Sequence, residues 1–251
     1  SEQTVNLTGI TAGGGETQPL RVTATSSYAE LLTGLTVVYT SAETTGTLKF
    51  TPVADEHGDT EITVTVEDGG LDGDLDTTAD NGTFSRTFDV IVNSVNDVPT
   101  INAIADVTMD EDASEQTVNL TGVTAGGGEV QPMLVSASSS NSSLLGQITV
   151  DFTPINTTGT LKFTPLADQH GVSTITVTVE DGGLDNDLAT TDDNAVTTRT
   201  FDVTVTPDGD TPTLDSLTDV TMDEDASEQT LDLSGITAGG GETQPLRVTA
   251  T

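Results

Sequence analysis

Apolar and polar residues alternate along most of this chain with a period of two. Leu20, Val22 and Ala24 interleave with Arg21, Thr23 and Thr25. Ile175, Val177 and Val179 interleave with Thr174, Thr176 and Thr178, and Phe201, Val203 and Val205 with Asp202 and Thr204. This is the pattern of strands with one buried and one wet face, and Thr and Val suit such a pleated surface. No stretch keeps a helical period over three turns. The best-defined segment predicts seven strands, near Val107–Met109, Thr117–Thr121, Met133–Ser138, Ile148–Phe152, Thr160–Thr164, Ser173–Glu180 and Arg199–Val205. Gly, Pro, Asn and Asp punctuate them. Seven short strands in about 110 residues predict an all-β, Greek-key β-sandwich.

The pattern repeats. SEQTVNLTGITAGGGETQPLRVTAT begins at Ser1, SEQTVNLTGVTAGGGEVQPMLVSAS at Ser114 and SEQTLDLSGITAGGGETQPLRVTAT at Ser227, a gapless period of 113 residues. The last copy differs from the first only at Val5/Leu231, Asn6/Asp232 and Thr8/Ser234. Pro-containing turn segments, Ser94–Pro99 and Pro207–Pro212, predict the domain boundaries. On that phasing 1–97 is a sandwich lacking its first strand, 98–210 is a complete one, and 211–251 holds the opening strands of a third.

Composition narrows the function. The 251 residues carry 6 Lys+Arg against 41 Asp+Glu, a formal charge of −35, with aromatics at 3% and no Cys. So few cations cannot replace the counterions around phosphate, which excludes nucleic-acid binding, and the same repulsion argues against anionic membrane surfaces. No apolar run is long enough for a membrane-inserted helix. The absence of Cys removes disulfides, thiolate catalysis and the usual structural zinc sites. The acidity belongs to the repeat: residues 1–113 hold 20 anions and residues 114–226 hold 18.

Strand direction places these carboxylates. If strands alternate, Asp110, Glu111 and Asp112 after the first strand and Asp168 after the fifth face the linker carrying Asp208 and Asp210. Glu180, Asp181, Asp185, Asp187, Asp192 and Asp193 after the sixth strand face the linker carrying Asn96 and Asp97, where the preceding domain brings Asp55 and Glu56. Two like charges ~4 Å apart repel by about 4 kcal/mol at intermediate dielectric. A hard divalent cation taking oxygen ligands removes that repulsion, so Ca²⁺ is expected at the junctions. A solvated acidic surface is the alternative. Asp72, Asp74 and Asp76, with Asp185 and Asp187 in the second copy, also have the one-in-two spacing of loop calcium sites; a flexible acidic turn is the competing reading.

TLKFTPLADQHG at Thr160–Gly171, ITVTVEDGG at Ile175–Gly183, Phe201–Val205 and the linker Asn96-Asp97-Val98-Pro99 follow one another in the order of cadherin signatures. With DVTMDEDASEQT at 106–117 and 219–230, the chain resembles bacterial cadherin-like and Ig-like tandem repeats of giant extracellular adhesins or surface fibres. The resemblance implies calcium-stiffened stalks at the cell surface. The sequence departs from that pattern in three places: Ala-Asp-Gln-His after the fifth strand, Asp-Gly-Asp in the second linker, and a Gly-rich turn with Glu129 in place of Asp-x-Asp.

The expected function is a non-catalytic stalk or spacer whose partners are neighbouring repeats of its own chain. The first alternative is a homo-oligomeric filament joined by β-strand donation, since 1–93 lacks a first strand and 213–251 has strands to spare. The second is a carbohydrate- or protein-binding module, which the scarcity of aromatics disfavours. His57 and His170 recur in Asp-x-His-Gly and read as turn residues. Gly13–Gly15, Gly126–Gly128 and Gly239–Gly241 are followed by Glu, have no helix or Lys nearby, and read as flexible turns instead of phosphate loops. Alternation puts Lys49 and Lys162 on the outer face.

Overall fold

The computed structural model describes residues 1–251, which contain no helix and thirteen β-strands. They form two compact units, Ser1–Asn96 and Asp97–Thr251.

The second unit holds the complete sandwich. Its strands are β7 (Val107–Asp110), β8 (Gln116–Thr121), β9 (Met133–Ser139), β10 (Thr149–Asp151), β11 (Thr158–Phe163), β12 (Gly171–Asp181) and β13 (Val196–Thr206). All seven predicted strands are present. One sheet has the order β10-β11-β8 and the other β7-β13-β12-β9. Every pairing is antiparallel except β7 with β13, which run parallel with Val107 opposite Val203 and Met109 opposite Val205. The alternation seen in the sequence becomes burial: Ile175, Val177 and Val179 are fully buried and the intervening threonines only partly so. They pack against Leu120, Leu161, Phe163, Phe201 and Val203 from both sheets. Ile101 and Met109, just before and within β7, close the same core. Leu161 contributes on the order of 2–5 kcal/mol by the usual cost of a buried Leu→Ala change.

The first unit repeats this plan with six strands: β1 (Gln3–Thr8), β2 (Leu20–Ser26), β3 (Leu32–Val38), β4 (Thr45–Pro52), β5 (Gly58–Asp68) and β6 (Thr83–Val92). The sheets have the orders β1-β4-β3 and β2-β5-β6. No strand stands in the place of β7, so β6 is a sheet edge. The consequence reaches the core. Val64, Val66, Phe88, Val90 and Val92 are half-buried, whereas their counterparts one period on, Val177, Val179, Phe201, Val203 and Val205, are buried.

Residues 211–251 differ from the expected strands. They form a single bridge, Thr213 to Thr237, and no strand. The physical reason is pairing: β8 is held by β11 and β9 by β12, and the described chain offers this stretch no such partner. Lys49 and Lys162 do lie outward, half-exposed, 3.0 Å from Glu2 and 3.8 Å from Glu115.

Candidate metal centre

The acidic residues of the second unit separate into two populations. One converges. Glu111 and Asp112 follow β7, Asp168 lies in the turn between β11 and β12, Asp210 lies in the linker after β13, and Glu242 follows the last Gly-rich turn. Carboxylate oxygens of Glu111, Asp210 and Glu242 lie within 4.8 Å of one another, and so do those of Asp112, Asp168 and Asp210. Asp210 is common to both groups.

Local backbone conformation brings these side chains together. Asp112 and Asp168 adopt left-handed conformations, φ 61° and 57°, which Asp tolerates better than most residues. The Asp168 N–H donates to Asp112 Oδ1 at 3.4 Å, tying the two turns. The Asp208 N–H donates to Glu111 Oε1 at 2.9 Å, drawing the linker onto the end of β7. Glu111 is 4% exposed. Gly239 and Gly240 have φ of 93° and 43°; a Cβ on Gly239 would lie 2.7 Å from the Thr211 carbonyl oxygen, and one on Gly240 would collide with Asp210 Oδ2. The Gly-rich turn is therefore not a hinge: its missing side chains let the linker aspartate lie against the turn. Gly126 and Gly127 likewise receive Asp97 and the Val98 carbonyl, with the Asp97 N–H donating to Glu129 Oε2 at 3.2 Å.

These contacts offset the charge of the cluster only in part. Glu111 Oε2 and Asp210 Oδ2 are buried and accept no hydrogen bond. The nearest cationic candidate is His170, whose Nδ1 lies 3.5 Å from Glu111 Oε2. Burial and then the charges of Asp168, Asp112, Glu242 and Glu111 raise the pKa of Asp210 above the ordinary carboxylate value. Oxygens coordinating one Ca²⁺ at 2.3–2.6 Å are at most about 5 Å apart. The observed convergence matches that span, and an all-oxygen donor set is the one a hard cation takes.

The other acidic residues do not converge. Asp110 Oδ1 accepts the Thr206 hydroxyl at 2.6 Å and so clasps β7 to β13. Asp208 Oδ1 accepts the Gly209 N–H at 2.8 Å. Asp181, fully buried, accepts N–H groups of Gly183 and Ala195 at 3.0 and 2.9 Å. Glu180 accepts the Asn194 amide. Asp185 accepts the Asp187 N–H at 2.9 Å and the Thr190 hydroxyl at 2.5 Å, and Asp187 the Ala189 N–H at 2.9 Å. Asp193 caps the Leu184 N–H. The loop after β12 is thus a chain of Asx turns, in which the one-in-two Asp spacing reflects each carboxylate bonding the N–H two residues on. Its expected ligand residues are turned on their own backbone, and Asp185 is held below its usual pKa by Thr190 and then the Asp187 N–H. Asp72 is held down in the same way by Thr77 and Asp74. Asp55 and Glu56 lie with Asn96 in the first unit, and Asp97 lies in the second.

Glu242 was not among the expected ligands. A signal for it exists in the sequence: Asp97 precedes Glu129, and Asp210 precedes Glu242, by the same interval across a triple-Gly turn.

Comparison with known proteins gives no family: no protein-family model and no curated protein matches the chain. Solved structures do match. One is surface layer protein SbsC, domains 1–6, at 16% identity and a TM-score of 0.34, covering 77% of this chain and 21% of that one. The extracellular domain of protocadherin GammaB4 matches at 12% identity and a TM-score of 0.41, covering 89% and 36%. Human mucin-like protocadherin EC1-2 matches at 15% identity and a TM-score of 0.42, covering 83% and 99%. The chain spans about a fifth of the SbsC structure it matches. At these scores the fold assignment rests on the strand order above and not on the likeness.

Proposed function

We propose that this chain is a non-catalytic structural segment of an extracellular surface protein, a spacer in which Ca²⁺ at the Glu111–Asp112–Asp168–Asp210–Glu242 cluster fixes one repeat against the next. One observation carries the reading. Five carboxylates from four separate segments are packed together with two buried oxygens unsatisfied, an arrangement that costs free energy unless a cation completes it. The same residue types recur one period earlier, with Asp55, Asp97 and Glu129 in place of Asp168, Asp210 and Glu242. Near-identical units at a fixed period add length, which a spacer needs and a catalyst does not.

The test is small-angle scattering with Ca²⁺ and with chelator. Ca²⁺ is expected to reduce the maximum dimension or sharpen its distribution and to raise the melting temperature. Identical profiles and identical melting temperatures would remove calcium from the account.

A further inference from the structure

We propose that Asp208–Gly209 is a site of spontaneous covalent rearrangement, through a succinimide to an isoaspartyl linkage, and that the change draws Asp210 out of the carboxylate cluster. The only co-reactant is water. The Gly209 amide nitrogen attacks Asp208 Cγ. An N–Cγ bond forms, a Cγ–O bond breaks, and the oxygen leaves as water with the amide proton and one proton from solvent. A second water then opens the ring. Addition at Cγ restores aspartate. Addition at the Asp208 main-chain carbonyl leaves the chain running through the side chain, one methylene longer. No atom is oxidised or reduced.

The chain contains four Asp–Gly pairs, and the fold sets one apart. The Gly209 N–H donates to Asp208 Oδ1 at 2.8 Å, so the attacking amide is already held against the carboxyl group it attacks. Both residues are exposed, they follow the end of β13, and nothing lies within 4 Å of where a Gly209 Cβ would stand. The other pairs are tied elsewhere. The Gly69 N–H donates to the Pro19 carbonyl at 3.0 Å and the Gly182 N–H to the Pro132 carbonyl at 2.9 Å. Asp68 Oδ1 accepts the N–H groups of Gly70 and Gly82, and Asp181 Oδ1 those of Gly183 and Ala195. Asp72 accepts the Asp74 N–H at 3.0 Å and the Thr77 hydroxyl at 2.5 Å.

The position gives the rearrangement its consequence. The Asp208 N–H anchors the linker on Glu111 Oε1 at 2.9 Å, and two residues on Asp210 joins both carboxylate groups. Asp210 also fits closely against Gly240, whose Cβ position its Oδ2 occupies. An extra methylene between the anchor and Asp210 breaks that fit. The first linker has Val95-Asn96-Asp97 where the second has Asp208-Gly209-Asp210, so this chemistry belongs to the second linker alone. The effect on calcium rests on the reading proposed above; the rearrangement itself does not.

The test is to age the folded chain at neutral pH in chelator and to map isoaspartate by peptide analysis with isoaspartyl methyltransferase labelling. A parallel sample is aged unfolded in denaturant. In the folded chain Asp208 is expected to exceed Asp68, Asp72 and Asp181 several-fold, and in the unfolded chain the four are expected to level out. Gly209→Ala and Asp208→Glu alter exposed positions outside any strand and are expected to suppress the product. Calorimetric titration of the aged chain is expected to show Ca²⁺ uptake reduced in proportion to conversion, with aged Asp208→Glu unaffected. No excess at Asp208 in the folded chain, or the same ranking folded and unfolded, would overturn the proposed site. Conversion at Asp208 with undiminished Ca²⁺ uptake would overturn its effect on the cluster. A fresh chain that takes up no Ca²⁺ would overturn the calcium reading, and the site would still be decided by the mapping.

Discussion

Asp210 is the residue on which the candidate centre turns, because both carboxylate groups include it and its own charge is the one that burial and repulsion disfavour. Asp210→Asn removes that charge with little change of shape. In chelator the substitution is expected to raise the melting temperature; with Ca²⁺ the wild-type chain is expected to gain and the variant not. The pH dependence has a definite sign. A carboxyl whose folded pKa is raised contributes stability that is complete below its unfolded pKa and lost as pH rises through the folded value. In chelator, the gap between Asp210→Asn and wild type should therefore vanish well below the ordinary Asp range and open as pH rises through the elevated pKa. Thermal melts of both proteins across pH check this. Asp185 and Asp72 have the opposite sign: their hydrogen bonds stabilise above the unfolded pKa and fail as pH falls through the depressed one. Acidification is thus expected to loosen the loops after β5 and β12 only once pH falls below the ordinary carboxylate range.

At the scale of elements, the strands were legible because side-chain period and burial are the same physical fact: Ile175, Val177 and Val179 alternate in the sequence because one face of β12 is dry. The Gly-rich turn was not legible. Three consecutive glycines indicate positive φ, but only the fold shows that Asp210 lies where the side chain of Gly240 would be. Gly240→Ala is accordingly expected to weaken the calcium response while leaving the β7–β13 sandwich intact, as comparison of Ca²⁺-dependent and Ca²⁺-free melting would show. The Asp-x-Asp loop after β12 was ambiguous for a related reason. A carboxylate two residues ahead of an N–H serves an Asx turn and a cation loop equally well, and here Asp185 and Asp187 serve the turn. Residues 211–251 carry the strand pattern without the pairing, because a period-2 sequence specifies a face and not a partner.

At the scale of the whole chain, two copies of one repeat differ in how well they bury the same side chains. Phe88, Val90 and Val92 are half-buried, whereas Phe201, Val203 and Val205 are buried behind Ile101, Val107 and Met109. Incomplete burial means less apolar area removed from water, at about 25 cal/mol per Å². The first unit is expected to open at lower temperature, with amides of Phe84–Val92 exchanging faster than those of Thr197–Val205 in native-state hydrogen exchange. Leu161→Ala in the complete sandwich should cost about 2–5 kcal/mol, measured by denaturant unfolding of the second transition.

The central claim, that converging carboxylates hold a cation, is tested most directly by calorimetric titration of Ca²⁺ into the metal-stripped chain. The account predicts saturable binding with a Kd of about 10⁻⁴–10⁻³ M, as for extracellular calcium modules, reduced in Asp210→Asn and in Asp168→Asn. Heats no larger than dilution, with wild type and both variants indistinguishable, would contradict it.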